Sequence, residues 1–133
     1  YAAEPNVDDE ADLLATIAFM LDRTTLAGIV YEALTPNGTM TSRARSVLAL
    51  RAIYSGLPVV RVGRGNVEGF VRPAPPFIGG SNLGATKARM LLIAAMLKLG
   101  SLPAAANPDA PTDAERAATL AAVARYQEIF ETH

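Results

Sequence analysis

The sequence contains no cysteine. That absence removes disulfides, thiolate metal ligands and cysteine nucleophiles together, and it suits the cytosol or the periplasm equally. Histidine is nearly missing as well: His133, the last residue, is the only one, so no Ser-His pair can be rigidly held. An excess of either charge is also lacking. Twelve Lys and Arg stand against thirteen Asp and Glu, a net charge of -1, and the basic footprint of a nucleic-acid binder is not there. The longest apolar run, MLLIAAML at 90–97, is flanked by Arg89 and Lys98 and falls far short of the roughly 20 residues that cross a bilayer. Neither nucleic acid nor membrane is therefore expected as a partner.

The 133 residues make about one domain, 1–133, long enough to bury a core of ordinary size. Half of them are hydrophobic and 19% are charged, a balance that folds rather than remaining disordered. The chain opens on Tyr1 with no charged-then-apolar leader, which reads as a processed protein or as a piece of a longer one.

Hydrophobic spacing orders the chain into elements. DEADLLATIAFMLD (9–22) places Leu13, Leu14, Ile17, Ala18 and Leu21 at helical intervals behind an acidic start that favours the helix dipole. AGIVYEAL (27–34) is short, β-branched and apolar on both faces, as a strand covered on both sides should be. A helix over 41–55 follows, capped by Thr41 or Ser42 and stopped at Gly56, and LPVVRV (57–62) is a second buried strand. Strand, helix, strand in that order predicts a βαβ unit and a parallel sheet. The loop 63–76 carries Pro73, Pro75 and Pro76 with three glycines and predicts no regular structure.

FIGG (77–80) predicts a short third strand, and 84–99 a helix whose apolar residues run all the way round, which places it centrally in the packing. Thr112 and Glu115 form a T-x-x-E capping box that opens a last helix to Phe130, with Leu120, Val123, Tyr126 or Gln127, and Phe130 as its apolar stripe. Tyr1–Ala3 reads as the end of a further strand. The fold class expected is α/β: a small three-layer domain, with a parallel sheet of about four strands flanked by four helices in a Rossmann-like or flavodoxin-like arrangement.

Most motifs that resemble chemistry fail on spacing. VGRGNVEG (62–69) follows a strand, yet its glycines are spaced G-x-G-x-x-x-G, and prolines stand where a phosphate-binding helix must begin. GGSNLG (79–84) lacks the second glycine of a nucleophile elbow, because Leu83 occupies it; Ser81 or Asn82 is instead expected to cap the next helix. Asp8, Asp9, Glu10 and Asp12 read as a helix N-terminal charge cluster, not as a metal ligand set. ALTPNGTMTS (33–42) is left, with Thr35, Asn37, Gly38, Thr39 and Thr41 at the carboxyl end of a parallel strand, the edge where open α/β sheets bind ligands. Asn-Gly can equally turn the chain, with Thr41 or Ser42 capping the helix.

Three segments taken together, AGIVYEALTPNGTMT, SGLPVVRVGR and FIGGSNLGATKARMLLIAAML, resemble in order and spacing the carboxyl-terminal domain of bacterial-type L-asparaginases. The most specific part is the pair G-x-P-V-V-R and L-x-x-x-K-A-R, Gly56–Arg61 and Leu83–Arg89. The resemblance implies a parent hydrolase that converts L-asparagine and water to L-aspartate and ammonia, an amidohydrolase whose catalytic threonines lie in an amino-terminal domain. It also implies no cofactor and no metal, assembly as a homodimer or homotetramer, and a place in asparagine metabolism in the cytoplasm or periplasm. The carboxyl domain would complete a neighbouring subunit's substrate pocket with the residue at Thr39, beside Asn37, and with an acid in the following loop, where Glu68 is the only one.

The family's asparagine and serine are replaced here by Thr39 and Gly63. On this reading the chain alone carries no catalytic residue. A non-catalytic α/β interaction domain and an independent small-molecule-binding domain are the other classes that fit.

Overall fold

A computed structural model describes residues 7–23, 26–33, 42–64 and 71–133, with side-chain detail from Leu13 onward. The first helix, α1, runs Val7–Asp22, and its half-buried Leu14, Ile17 and Leu21 fall on one side at the predicted spacing. Leu13 and Phe19 stay exposed, with the Arg23 guanidinium 4.7 Å from the Phe19 ring. The next three elements are strand β1 (Ile29–Ala33), helix α2 (Arg43–Tyr54) and strand β2 (Val59–Gly63). β1 and β2 pair in parallel, Ile29 with Val59 through Ala33 with Gly63, which makes the expected βαβ unit.

Strand β3 is only Ile78–Gly79 and pairs in parallel with β2, Val60 with Ile78 and Arg61 with Gly79. The sheet therefore has the order β1-β2-β3, with β2 in the centre. Val59, Val60 and Val62 of the central strand are fully buried, since parallel strands joined by helical crossovers are covered on both faces. Burying each contributes about 1.5–3 kcal/mol relative to exposure. Among the described residues the architecture is thus α/β, with four helices and a small open parallel sheet of three strands rather than about four. The strand end expected at Tyr1–Ala3 lies outside those residues.

Ser42, not Thr41, is the residue placed at the start of α2, its hydroxyl accepting from the Arg45 amide at 3.4 Å. At the other end Gly56 takes φ +101, a conformation that L side chains rarely adopt, and the chain turns from helix into β2. Leu102 N–H bonds the Gly56 carbonyl at 2.9 Å and Ala105 N–H bonds that of Tyr54 at 2.7 Å, so the Pro/Ala connection is tied under this corner.

Helix α3 (Ala85–Leu99) packs across β1 and β2. Gly28 permits the approach, because a Cβ there would sit 3.2 Å from both Leu92 and Met96. α3 is central to the packing, in contact with β1, β2 and α4, but its apolar residues are not buried on every side. Ala88, Leu92 and Ala95 form its inner face, whereas Met90 is 64%, Ile93 41% and Leu97 86% exposed. Those three share an outward face at three- and four-residue intervals. Its cap is also not as expected: Gly84 is the N-cap with no side-chain bond, and Ser81 sits instead at φ +55 in a bridge with Val71.

Helix α4 (Asp113–Thr132) begins with the predicted capping box, the Thr112 hydroxyl accepting from the Glu115 amide and the Glu115 carboxylate accepting from the Thr112 amide at 2.7 Å. Glu115 also accepts from the Ala106 amide at 2.8 Å. These bonds, that from Ala106 first, hold its carboxyl below the ordinary glutamate range. Val123, Tyr126 and Phe130 are buried as the stripe predicts, while Leu120 remains partly exposed. The Tyr126 hydroxyl donates to the Gly100 carbonyl, and burial pushes the phenol's pKa up.

Candidate functional site

In a parallel open sheet the strands' carboxyl ends converge on one edge, and their loops form the wall where ligands collect. Here that edge is built by Ala33, Gly63 and Arg64, and Gly80 and Ser81. Arg64 N–H bonds the Ala33 carbonyl at 2.9 Å and Gly80 N–H bonds that of Arg61 at 2.8 Å, which carries the ladder slightly past the named strands. The residues that the sequence nominates for this edge, Asn37, Thr39 and Glu68, all lie outside the described residues, as do Thr35 and Thr41. Gly63, at the position where the resembling family has serine, ends β2 in register with Ala33.

The loop expected to be irregular has order in its second half. Val71 and Ser81 exchange backbone bonds of 3.0 and 3.2 Å, and Phe77 N–H bonds the Ala74 carbonyl at 3.0 Å around a cis Pro75-Pro76 bond. The segment lies directly on β3: a Cβ at Gly79 would stand 2.6 Å from the backbone of Arg72 and Pro73. Glycine is required there by close approach rather than by its backbone angles.

The group of most chemical interest was not among the nominated residues. Arg61 lies in the central strand, in register with Tyr31 on one side and Gly79 on the other. Its guanidinium rests 5.4 Å from the Phe77 ring centroid, and Nη2 is 3.5 Å from the Arg72 carbonyl. Nε is buried with no hydrogen-bond partner. Burial pushes its pKa down from the ordinary arginine value, although a guanidinium still holds its proton at neutral pH. One signal was legible: arginine inside V-V-R-V, a run otherwise suited to burial on both faces, requires an acceptor or an exit to solvent.

A second unanticipated contact closes the far side of β3. The Gln127 side-chain amide accepts from the Gly79 amide at 2.8 Å and donates to the Gly79 carbonyl at 3.2 Å, occupying the backbone groups that a fourth strand would otherwise take.

Other chemistry finds little footing. No group of three His, Asp or Glu able to hold a metal occurs among the described residues, and no helix among them is long and apolar enough to cross a membrane. His133 is exposed, with Nδ1 2.9 Å from the Thr132 hydroxyl and 3.1 Å from the Ile129 carbonyl. No family model, no curated protein and no solved structure matches this chain.

Proposed function

We propose that this chain is the carboxyl-terminal domain of an asparaginase-like amidohydrolase, whose parent enzyme hydrolyses the side-chain amide of asparagine or a related small amide. The observation that carries the reading is the placement of the two most specific segments. Gly56–Arg61 leads into and forms most of the central strand β2, and Leu83–Arg89 opens α3, which packs across β1 and β2. Val59, Val60 and Ala88 of these two segments are buried in the same core, with Leu83 and Ala85 packed against it.

The fuller Rossmann-like sheet of about four strands belongs to the same proposal. Its support is the outer side of β1. Pairing with β2 occupies alternate backbone groups of β1 and directs those of Val30 and Glu32 away, where no described strand pairs. α1 packs against α2 and faces β1 across a cavity of about 300 Å³ lined by Leu13, Leu14, Ile17, Ile29 and Tyr31. A strand beside β1 would lie under α1 and fill that space.

Assembly into a homodimer or homotetramer, with loop 34–41 and Glu68 completing a neighbouring subunit's pocket, is the corresponding quaternary proposal. The exposed Met90, Ile93 and Leu97 of α3 support it, since a large apolar patch on a monomer's surface commonly marks an interface. The same face favours the second reading, a non-catalytic interaction domain.

The nucleophile and its activating base belong to the parent's other domain in this reading, so the 133-residue chain alone releases no ammonia from asparagine above background. Turnover by the chain alone overturns it. In the parent, Thr39→Ala raises KM or shifts amide preference without affecting folding, because a shortened side chain loses its hydrogen bond to substrate; unchanged kinetics removes the loop from the pocket.

A further inference from the structure

Helix α3 has two unlike sides. Ala88, Leu92 and Ala95 meet the sheet, while Met90, Ile93 and Leu97 form an exposed stripe about two turns long, with exposed Ala94 beside it. At about 100° per residue, Lys87 and Lys98 fall along one flank of that stripe and Arg89 along the other, all three exposed. The 15 residues of α3 include no acid, and none of these cations forms an ion pair with a described carboxylate. Where the helix ends, Arg125 of α4 adds a fourth exposed cation, lining with Leu99 and Ala122 a cavity of about 280 Å³ between the two helices.

The stability of the helix does not account for that pattern. Lys98 suits the last turn, but Lys87 stands in the first, where a cation opposes the helix dipole, and neither a side-chain cap nor an acid offsets it. An exposed apolar stripe rimmed by charge of one sign is instead the layout of a binding face, with apolar contact at its centre and complementary charge at its edge.

The charges select the occupant. Laying α3 on α3 of a second copy about a two-fold axis brings only cations together along the rim, which disfavours that contact. A bilayer surface suits the face no better: the chain carries a net charge of -1, and α3 has no aromatic residue to seat at a lipid interface. A helix with apolar residues at i, i+3 or i+4 and i+7, and with Asp or Glu on both flanks, meets the stripe and its rim together. The flexible Met90 side chain adapts to the shape of what it meets.

We propose that the outer face of α3 docks an acidic amphipathic helix of a separate protein. Met90, Ile93 and Leu97 pack on its apolar stripe, and Lys87, Arg89 and Lys98 pair with its carboxylates. This inference goes beyond the asparaginase-like reading and does not rest on it.

The test titrates the full 133-residue chain with two synthetic peptides of about 18 residues, long enough to form a helix. Both carry the same leucine stripe and differ only on its flanks, which are glutamate in one and lysine in the other. Binding is read by fluorescence anisotropy of the labelled peptide and by the Met90 methyl signal in NMR spectra, assigned by its loss in Met90→Leu. The glutamate peptide binds saturably, about tenfold or more tighter than the lysine peptide, and the Met90 signal moves with it. Leu97→Ala weakens this binding about tenfold and leaves the amide spectrum away from α3 unchanged, while Lys87→Glu combined with Lys98→Glu reverses the preference between the peptides. No saturable binding, equal affinity for the two peptides, or a Met90 signal that stays fixed during binding overturns the proposal. So does self-association of the chain that Leu97→Ala abolishes, which gives the face to a second copy. Sedimentation with phosphatidylglycerol vesicles that Leu97→Ala abolishes overturns it as well and gives the face to a membrane.

Discussion

The two edges of the sheet are finished in opposite ways. At β3, helix α4 lies alongside and Gln127 meets Gly79 with both halves of its amide, so a two-residue strand has its outward N–H and C=O answered by a side chain. At β1, five residues of Ile-Val-Tyr-Glu-Ala present backbone groups to a side where no described strand pairs, and α1 stands off across a cavity. An apolar edge of that length is a pairing surface unless it is covered. The difference shows that the β3 side is completed by a side chain of α4, whereas at the β1 side no described strand pairs.

The strongest way to break the comparison is to remove what seats α4. Phe130→Ala takes a fully buried ring from the core and lowers unfolding free energy by about 3–5 kcal/mol, read from the midpoint of urea unfolding. Leu97→Ala on the outward face of α3 stays within about 0.5 kcal/mol in a dilute sample; a larger loss there means that the face is already covered in solution.

Gln127→Ala leaves the Gly79 amide and carbonyl without their partner. The expected cost is about 1–3 kcal/mol, together with faster hydrogen exchange at Gly79. A negligible change in both would mean that water replaces the amide and that the β3 edge is no better sealed than the other.

Capping has a smaller effect. Thr112→Ala, which removes the hydroxyl of the capping box, costs about 1 kcal/mol. Its pH dependence has a definite sign. The Glu115 carboxyl sits below its ordinary value because of the Ala106 and Thr112 bonds, so its contribution is present above the unfolded pKa of about 4.3 and is lost as pH falls through the lower folded value. The Thr112 hydroxyl also donates to that carboxylate, at 2.8 Å, so the penalty of Thr112→Ala, measured by denaturation at several pH values, shrinks in that acid range.

The gentlest test alters no residue. Amide exchange at Val30 and Glu32 runs faster than at Tyr31, whose N–H points into the ladder with β2. Equal protection at all three would show the outer side of β1 already paired in solution.

Helices and strands were legible because each carries its own period and its own stop: Gly56 after α2, Gly100 after α3, the Thr112–Glu115 box before α4. The candidate site was legible only as an edge. Asn37 and Thr39, nominated by their place after a strand and by resemblance, and Glu68, nominated by resemblance alone, lie outside the described residues, whereas Arg61, Phe77 and Gln127 come into view only when strands and helices are brought together. The exposed side of α3 was illegible for the same reason. Met90, Ile93 and Leu97 are as apolar as Leu92, and composition cannot say which face of an all-apolar helix meets the sheet.

The sequence by itself determined the α/β class, the parallel βαβ unit and the capped ends, since periodicity, β-branching and helix stops act over short stretches of chain. Only the tertiary structure decided that Gln127 closes β3, that Gly79 must be glycine because residues 71–73 cross it, and that the Arg61 Nε is left without an acceptor. Each of these depends on how separate segments are laid against one another or on what excludes water from one atom. Such facts arise from packing, and no local pattern encodes them.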